Sequence, residues 1–149
     1  MRKPITRAAL LLVAAVLLSA CSAGAQELGT DESPRIVELT MTDHMTFDPA
    51  RIEVRMGETV RFVVRNVSGL AHEAFIGTEQ EQLLHEAMHT GLGAGDQTTT
   101  SHMGYGVNVH PLGTGELVAK FDQAYQYVIG CHYPGHYAAG MRAVIDVRQ

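Results

Sequence analysis

The residues best suited to chemistry stand near the C-terminus, in Cys131-His132-Tyr133-Pro134-Gly135-His136-Tyr137-Ala138-Ala139-Gly140-Met141. Their spacing is C-x4-H-x4-M, so one short stretch offers a thiolate, an imidazole and a thioether. It lies between an apolar run that ends at Cys131 and a second, Ala143 to Val147, and therefore reads as a ligand loop between two strands. Cys and Met are soft donors and His is borderline. Such a set suits copper passing between Cu(I) and Cu(II) better than it suits zinc, magnesium or calcium.

One Cys, two His and a weak axial Met make a trigonal blue-copper arrangement, and the loop supplies only one of the two imidazoles that pattern needs. The other must come from a strand end on the same rim. His72 fits best, because it follows the loop Val67 to Ala71 and opens the short apolar run to Ile76, where a strand would hold it rigidly. The bland alternatives are a strand-edge His72 and a Cys131 that is merely a small buried hydrophobe.

The elements that must position these residues are strands. Val37, Leu39 and Met41 alternate with Ile36, Glu38 and Thr40. Phe47-Asp48-Pro49 then turns the chain into Ile52 to Val54. From Thr59 to Asn66, Val60, Phe62 and Val64 oppose Arg61, Val63 and Arg65, the pattern of a half-buried strand in an antiparallel sheet. His72 to Ile76, Glu116 to Phe121, Tyr125 to Gly130 and Ala143 to Val147 complete the set. Glu79 to His89 is the one helix expected, with Leu83, Leu84, Ala87 and Met88 at helical spacing. Thr90 to His110, rich in Gly, Thr and His, reads as a loop. Short strands separated by Gly and Pro imply an all-β sandwich or barrel with a helix-containing insertion.

The totals of this 149-residue chain bound the setting. Arg2, Lys3 and Arg7 precede the apolar run Ala8 to Leu18, as in a signal peptide over 1–20 that is too short to span a bilayer comfortably. Leu18-Ser19-Ala20-Cys21 resembles the lipobox of bacterial lipoproteins, which implies a lipid anchor on Cys21. A competing cut follows Ala23-Gly24-Ala25. Residues 21–34 read as a flexible tether and 35–149 as the domain. The expected location is the periplasm or cell envelope.

Removing the leader takes three of the eleven basic residues and none of the sixteen acidic ones, which leaves a net charge of about −8. Nucleic acid is thereby excluded as a partner. Cys131 is then the sole thiol of the domain, unable to form an intramolecular disulfide, and metal ligation would protect it in an oxidising compartment.

Gly69-Leu70-Ala71-His72-Glu73 together with the Cys131 to Met141 loop resembles the cupredoxins, the plastocyanin, azurin and auracyanin family of blue copper proteins. Met56-Gly57-Glu58-Thr59-Val60 and Phe47-Asp48-Pro49 match that family's early strands. The resemblance implies an eight-stranded Greek-key sandwich. It also implies copper held by His72, Cys131 and His136 in a plane with Met141 on the axis. Two positions depart from the family's usual pattern. Glu73 stands where Asn is common, which puts in doubt the hydrogen bonding between the two ligand loops, and His132 directly follows Cys131. An alternative therefore has Glu73 or His132 entering the coordination sphere and shifting the site toward green or red copper. A single Cys argues against a binuclear purple centre, and the lack of His-x-His pairs argues against a multicopper oxidase. No oxyanion arrangement accompanies Cys131, so thiol catalysis is not expected.

The insertion carries a second collection of donors: His85, Met88, His89, His102, Met103 and His110, with His44-Met45 as an outlying pair. On a helix His85, Met88 and His89 fall at i, i+3 and i+4, and with His102 and Met103 they offer a soft second site for additional Cu(I). The helix, with a Glu-Gln pair ahead of His85, and the His72 to Gly77 phrase also resemble a periplasmic cupredoxin branch tied to copper tolerance. Two roles follow, both without enzymatic turnover and both for a monomer. One is a one-electron carrier that meets redox partner proteins around His136, ringed by Tyr133, Pro134, Tyr137, Ala138 and Ala139. The other is a copper-tolerance protein that sequesters or oxidises Cu(I) and meets copper-handling proteins.

Overall fold

Alternation of apolar and polar side chains dictates the architecture of the computed structural model, which describes residues 27–91 and 105–149, without the side chains of 89–91 and 105. The first strands are β1 (Arg35–Met41), β2 (Phe47–Asp48), β3 (Arg51–Arg55), β4 (Glu58–Asn66) and β5 (His72–Gly77). After α1 (Glu79–Gly91) come β6 (Tyr105–Val109), β7 (Thr114–Phe121), β8 (Gln126–Gly130) and β9 (Arg142–Arg148). One sheet has the order β2-β1-β4-β7 and the other β3-β9-β8-β5-β6. The chain passes between them as a Greek-key sandwich whose helix sits in the insertion after β5.

Every second residue of each strand enters the space between the sheets. Val60, Phe62 and Val64 from β4 meet Leu117, Ala119 and Phe121 from β7 and Ile129, Ala143 and Ile145 from β8 and β9, all buried. Phe62 and Phe121 pack edge to face with centroids 6.3 Å apart, a favoured aromatic geometry.

Three strand expectations need correction. The sheets are mixed: β1 runs parallel to β4, and β3 parallel to β9. These partners are separated by crossovers between the sheets, so local hairpin rules do not set their direction. Counting the two-residue β2, nine strands stand among the described residues where the resemblance implied eight. Part of the stretch taken for a loop, Tyr105–Val109, is a strand pairing with β5 in the register His72↔Val109 to Ile76↔Tyr105. Its alternation of Tyr, Val and Val with Gly and Asn is only five residues long and was masked by the polar surroundings.

β5 is the strand on which the site depends, and all six of its residues are buried. Ala74 and Ile76 join the core between the sheets. Their neighbours Glu73 and Phe75 point to the opposite face, which α1 covers by packing against β5 and β8. Thr78 caps the helix: its hydroxyl accepts from the Glu81 N–H at 3.3 Å, and the Glu81 carboxylate accepts from the Thr78 N–H at 2.6 Å. This reciprocal capping box fixes where the helix starts. Among the described residues no helix is long and apolar enough to cross a membrane.

Truncation at the centre of this core should be costly and truncation on the sheet exterior cheap. Phe62→Ala is expected to lower unfolding free energy by about 3–5 kcal/mol. Ile36→Ala, at a position 63% exposed, should change it by less than about 0.5 kcal/mol. Denaturant midpoints check both.

Candidate metal centre

Side-chain alternation brings the predicted donors together. His72 shares the inward parity of Ala74 and Ile76, and Cys131, one residue past β8, shares that of Ile129. The Nδ1 of His72 lies 3.2 Å from the Nδ1 of His136. Cys131 Sγ is 3.8 Å from the first nitrogen and 3.4 Å from the second. Among the described residues, this is the one group of His, Cys, Asp or Glu donors whose ligand atoms converge, all within 4.8 Å. A metal bonded at about 2.0 Å to nitrogen and about 2.3 Å to sulfur would separate three coplanar donors by about 3.5–3.8 Å. The observed triangle therefore fits such an ion, and its soft thiolate with two imidazoles fits copper.

The loop between β8 and β9 is laced by its own backbone. The Cys131 N–H donates to Met141 O at 3.2 Å and the Met141 N–H to His136 O at 3.0 Å, so all three donor-bearing positions are tied together. Gly135 and Gly140 adopt positive φ of 84° and 95° in the turns between them, a conformation glycine reaches without strain. Met141 is fully buried beside Cys131 in the core.

Two residues outside the donor motif position His72. The buried Asn66 amide donates to the carbonyls of Leu70, Val109 and His110 at 2.7, 3.1 and 3.1 Å, and its oxygen accepts from the Ser68 N–H and hydroxyl. Ser68 Oγ in turn lies 2.9 Å from His72 Nε2. With that nitrogen engaged, Nδ1 faces Cys131 and His136. A second hydrogen bond of this kind orients metal-ligating imidazoles. The signal available was the Asn-x-Ser turn ahead of His72.

The alternative ligands go elsewhere. Glu73 and His132 are each one residue from a donor and point to the face under α1. The Glu73 carboxylate pairs with His85 Nε2 at 2.9 Å and accepts the His132 N–H at 3.3 Å. Its backbone N–H points at Cys131 Sγ, 3.4 Å away. Glu73 thus joins the two ligand segments, which answers the doubt raised by the missing Asn. The His132 ring is held between Glu86 Oε2 at 2.6 Å and Gln82 Oε1 at 2.7 Å, and it stacks on Tyr137. Tyr137 therefore belongs to the helix side, while Tyr133 stacks on His136.

The second cluster is also redrawn. His85 is buried and stacked on Phe75 at 4.0 Å between centroids, whereas Met88 is 43% exposed. The inward face of α1 is Gln82, His85 and Glu86, so His85 and Met88 do not share it. The His89 side chain, His102 and Met103 lie outside the described residues, as does Cys21. His44 is exposed beside Asp43, and His110 is exposed.

Burial sets the protonation of the donors. It pushes the Cys131 thiol from 9.0 up to about 11, with Glu73 and Glu86 adding to the rise and the N–H groups of Glu73 and Tyr133 opposing it. His72 falls below the ordinary 6.5 through burial and then the neighbouring His136, and His136 falls through burial. Two neutral imidazoles and a neutral thiol are thus the favoured folded state. For the imidazoles this stabilisation is complete above about pH 6.5 and is lost as pH falls through their lowered values. For the thiol it is complete below about 9 and is lost as pH rises toward 11. The metal-free protein should accordingly melt highest between those limits, and thermal scans across pH 5 to 11 check it.

Known proteins add to the geometry. Residues 36–148 match the model of copper-binding proteins of the plastocyanin/azurin family. The copper-resistant cuproprotein CopI of Rubrivivax gelatinosus is 34% identical over 125 residues, covering 78% of this chain and 68% of that protein. The protein of the same name from Pseudomonas aeruginosa is 32% identical, covering 78% of each. Among solved structures, auracyanin A, a blue copper protein of Chloroflexus aurantiacus, superposes with a TM-score of 0.66 at 22% identity, over 78% of this chain and all of that one. Reduced auracyanin from Roseiflexus castenholzii gives 0.61 at 23% identity, over 76% and 97%.

Proposed function

The chain belongs to the plastocyanin/azurin family of copper-binding proteins, and we propose that it serves copper tolerance outside the cytoplasm, taking up copper through His72, Cys131, His136 and Met141. The convergence of His72, Cys131 and His136 within 4.8 Å carries this reading. The relatives named for copper resistance, at 34% and 32% identity, support the role in tolerance. Bound there, copper would supply one-electron chemistry between Cu(I) and Cu(II).

The chain's own residues perform the rest. Ser68 turns His72 toward the site, and the buried Met141 would add a soft thioether to the residues that hold copper. His72 and Cys131 are sealed from solvent at 0% exposure, while the His136 ring is only half buried and gives the site its one partly open edge among the described donors. The Cys131 thiol, held near pKa 11, must lose its proton to solvent when it ligates, so copper uptake should weaken as pH falls. A tether through Cys21 would keep the domain at the envelope, where incoming copper is met first.

A second reading, the one-electron carrier, is favoured by an apolar rim. Val67, Leu70 and Leu112 are 49, 51 and 79% exposed. Ser68 and Asn66 bind their loops to the His72 end, and Pro134, Ala138 and Ala139 are exposed on the neighbouring ligand loop. Small apolar faces of this kind suit brief redox encounters.

Growth separates the two roles. In cells lacking the gene, the wild-type chain should restore growth at raised copper and Cys131→Ser should not; growth indifferent to the chain contradicts the tolerance role. For the carrier role, Leu70→Glu should slow electron exchange with a one-electron protein donor several-fold while leaving the copper absorption band in place. An unchanged rate counts against the rim as a contact face.

A further inference from the structure

Helix α1 does more than cover the outer face of β5 and β8. Gln82, His85 and Glu86 lie at i, i+3 and i+4 on its inward side, and each reaches a polar group bonded to the metal loops. Gln82 is fully buried. Its amide nitrogen donates to Phe75 O on β5 at 3.1 Å and to Val128 O on β8 at 2.7 Å, joining the two strands that lead to His72 and Cys131. Its amide oxygen holds the His132 ring at 2.7 Å, and Glu86 holds the other ring nitrogen at 2.6 Å. His85, stacked on Phe75, holds the Glu73 carboxylate. That carboxylate accepts the His132 N–H, and the Glu73 N–H points at Cys131 Sγ. Gly130 leaves room for the arrangement: a Cβ there would collide with Gln82 Oε1, the Tyr137 ring and His132 Nε2.

We propose that the Gln82–His85–Glu86 face of α1 is a brace for the metal centre, and that these three are positioning residues which fix Cys131 against His72 by gripping His132 and Glu73 from outside the sandwich. The inference rests on copper binding at His72, Cys131 and His136 and extends it to the helix. None of the three contacts the donor atoms, so the brace acts through the backbone of Glu73 and His132. That route differs from the one that orients His72 by Ser68. It also assigns a role to the two positions that depart from the usual family pattern: Glu73 and His132 are the handles that the helix holds.

Glu86 is the place to test it, because it is 31% exposed at its side chain and tolerates replacement without opening the core. Glu86→Gln removes the charge and keeps an acceptor for His132; Glu86→Leu removes both. Comparing these two neutral variants isolates the hydrogen bond from the charge. Leu83→Ala, on the exposed side of the helix at 60%, controls for loss of helix stability. Two readouts are needed, hydrogen exchange of the Glu73 and His132 amides in the metal-free protein and Cu(I) affinity by chelator competition.

The brace predicts that Glu86→Leu exchanges both amides faster than Glu86→Gln and binds Cu(I) about tenfold more weakly, the scale of outer-shell losses at metal sites. Glu86→Gln and Leu83→Ala should stay near the wild type in both. Equal exchange rates and equal affinities in the Leu and Gln variants overturn the brace. Failure of the wild type to bind Cu(I) overturns the copper reading instead, and the amide exchange still decides the brace.

Discussion

Adjacent residues on a strand must point to opposite faces, and this site is built on that constraint twice over. At β5 it sends His72 inward and Glu73 outward. One residue beyond β8 it sends Cys131 inward and His132 outward. Two neighbouring chain segments therefore each deliver one soft or borderline donor to the space between the sheets and one polar side chain to the space beneath α1. The register Phe75↔Gly130 places those two segments side by side. A one-residue slip of either would exchange donors for handles and dismantle both layers.

The inner layer stores a conflict that a metal resolves. Burial favours a neutral thiol and neutral rings, while close approach of three donors is useful only when a cation sits between them. Preassembly by Asn66, Ser68, the laced loop and the core around Met141 means that little chain entropy remains to be lost on metal uptake. In the outer layer Glu73 pairs with His85 and with the His132 N–H, and the His132 ring lies between Gln82 and Glu86; pairing of this kind is what permits charged and amide side chains beneath a helix at all. The two layers meet at the Glu73 N–H facing Cys131 Sγ.

Much of this was legible in the chain itself, and the boundary between what was and was not has physical causes. The C-x4-H-x4-M loop, the choice of His72 and the alternating strands could be read because donor type, spacing and period two are local properties. The same alternation disfavours Glu73 as a donor beside His72, but the sequence alone leaves that alternative open. The parallel pairing of β1 with β4 and β3 with β9 could not be read, since it arises from crossovers between distant segments. The sequence groups His85 with Met88 by their donor chemistry, whereas α1 turns His85 inward and leaves Met88 43% exposed. What turns α1 is burial of Gln82 against the carbonyls of β5 and β8, and a glutamine among Leu83 and Leu84 gives no sign of being the innermost residue. Tyr105–Val109 gives little local sign of a strand because it lies at the edge of its sheet, paired with β5 alone among the described strands.

The central claim is that copper is held by side chains from two separated segments, His72 on one and Cys131 and His136 on the other. Anomalous diffraction at the copper edge, from crystals of the copper-loaded protein, tests it most directly. A peak between the Nδ1 atoms of His72 and His136 and the Sγ of Cys131 is the predicted result. Copper-loaded crystals with no peak there, or with copper instead among Glu73, His85 and His132 under the helix, would contradict it.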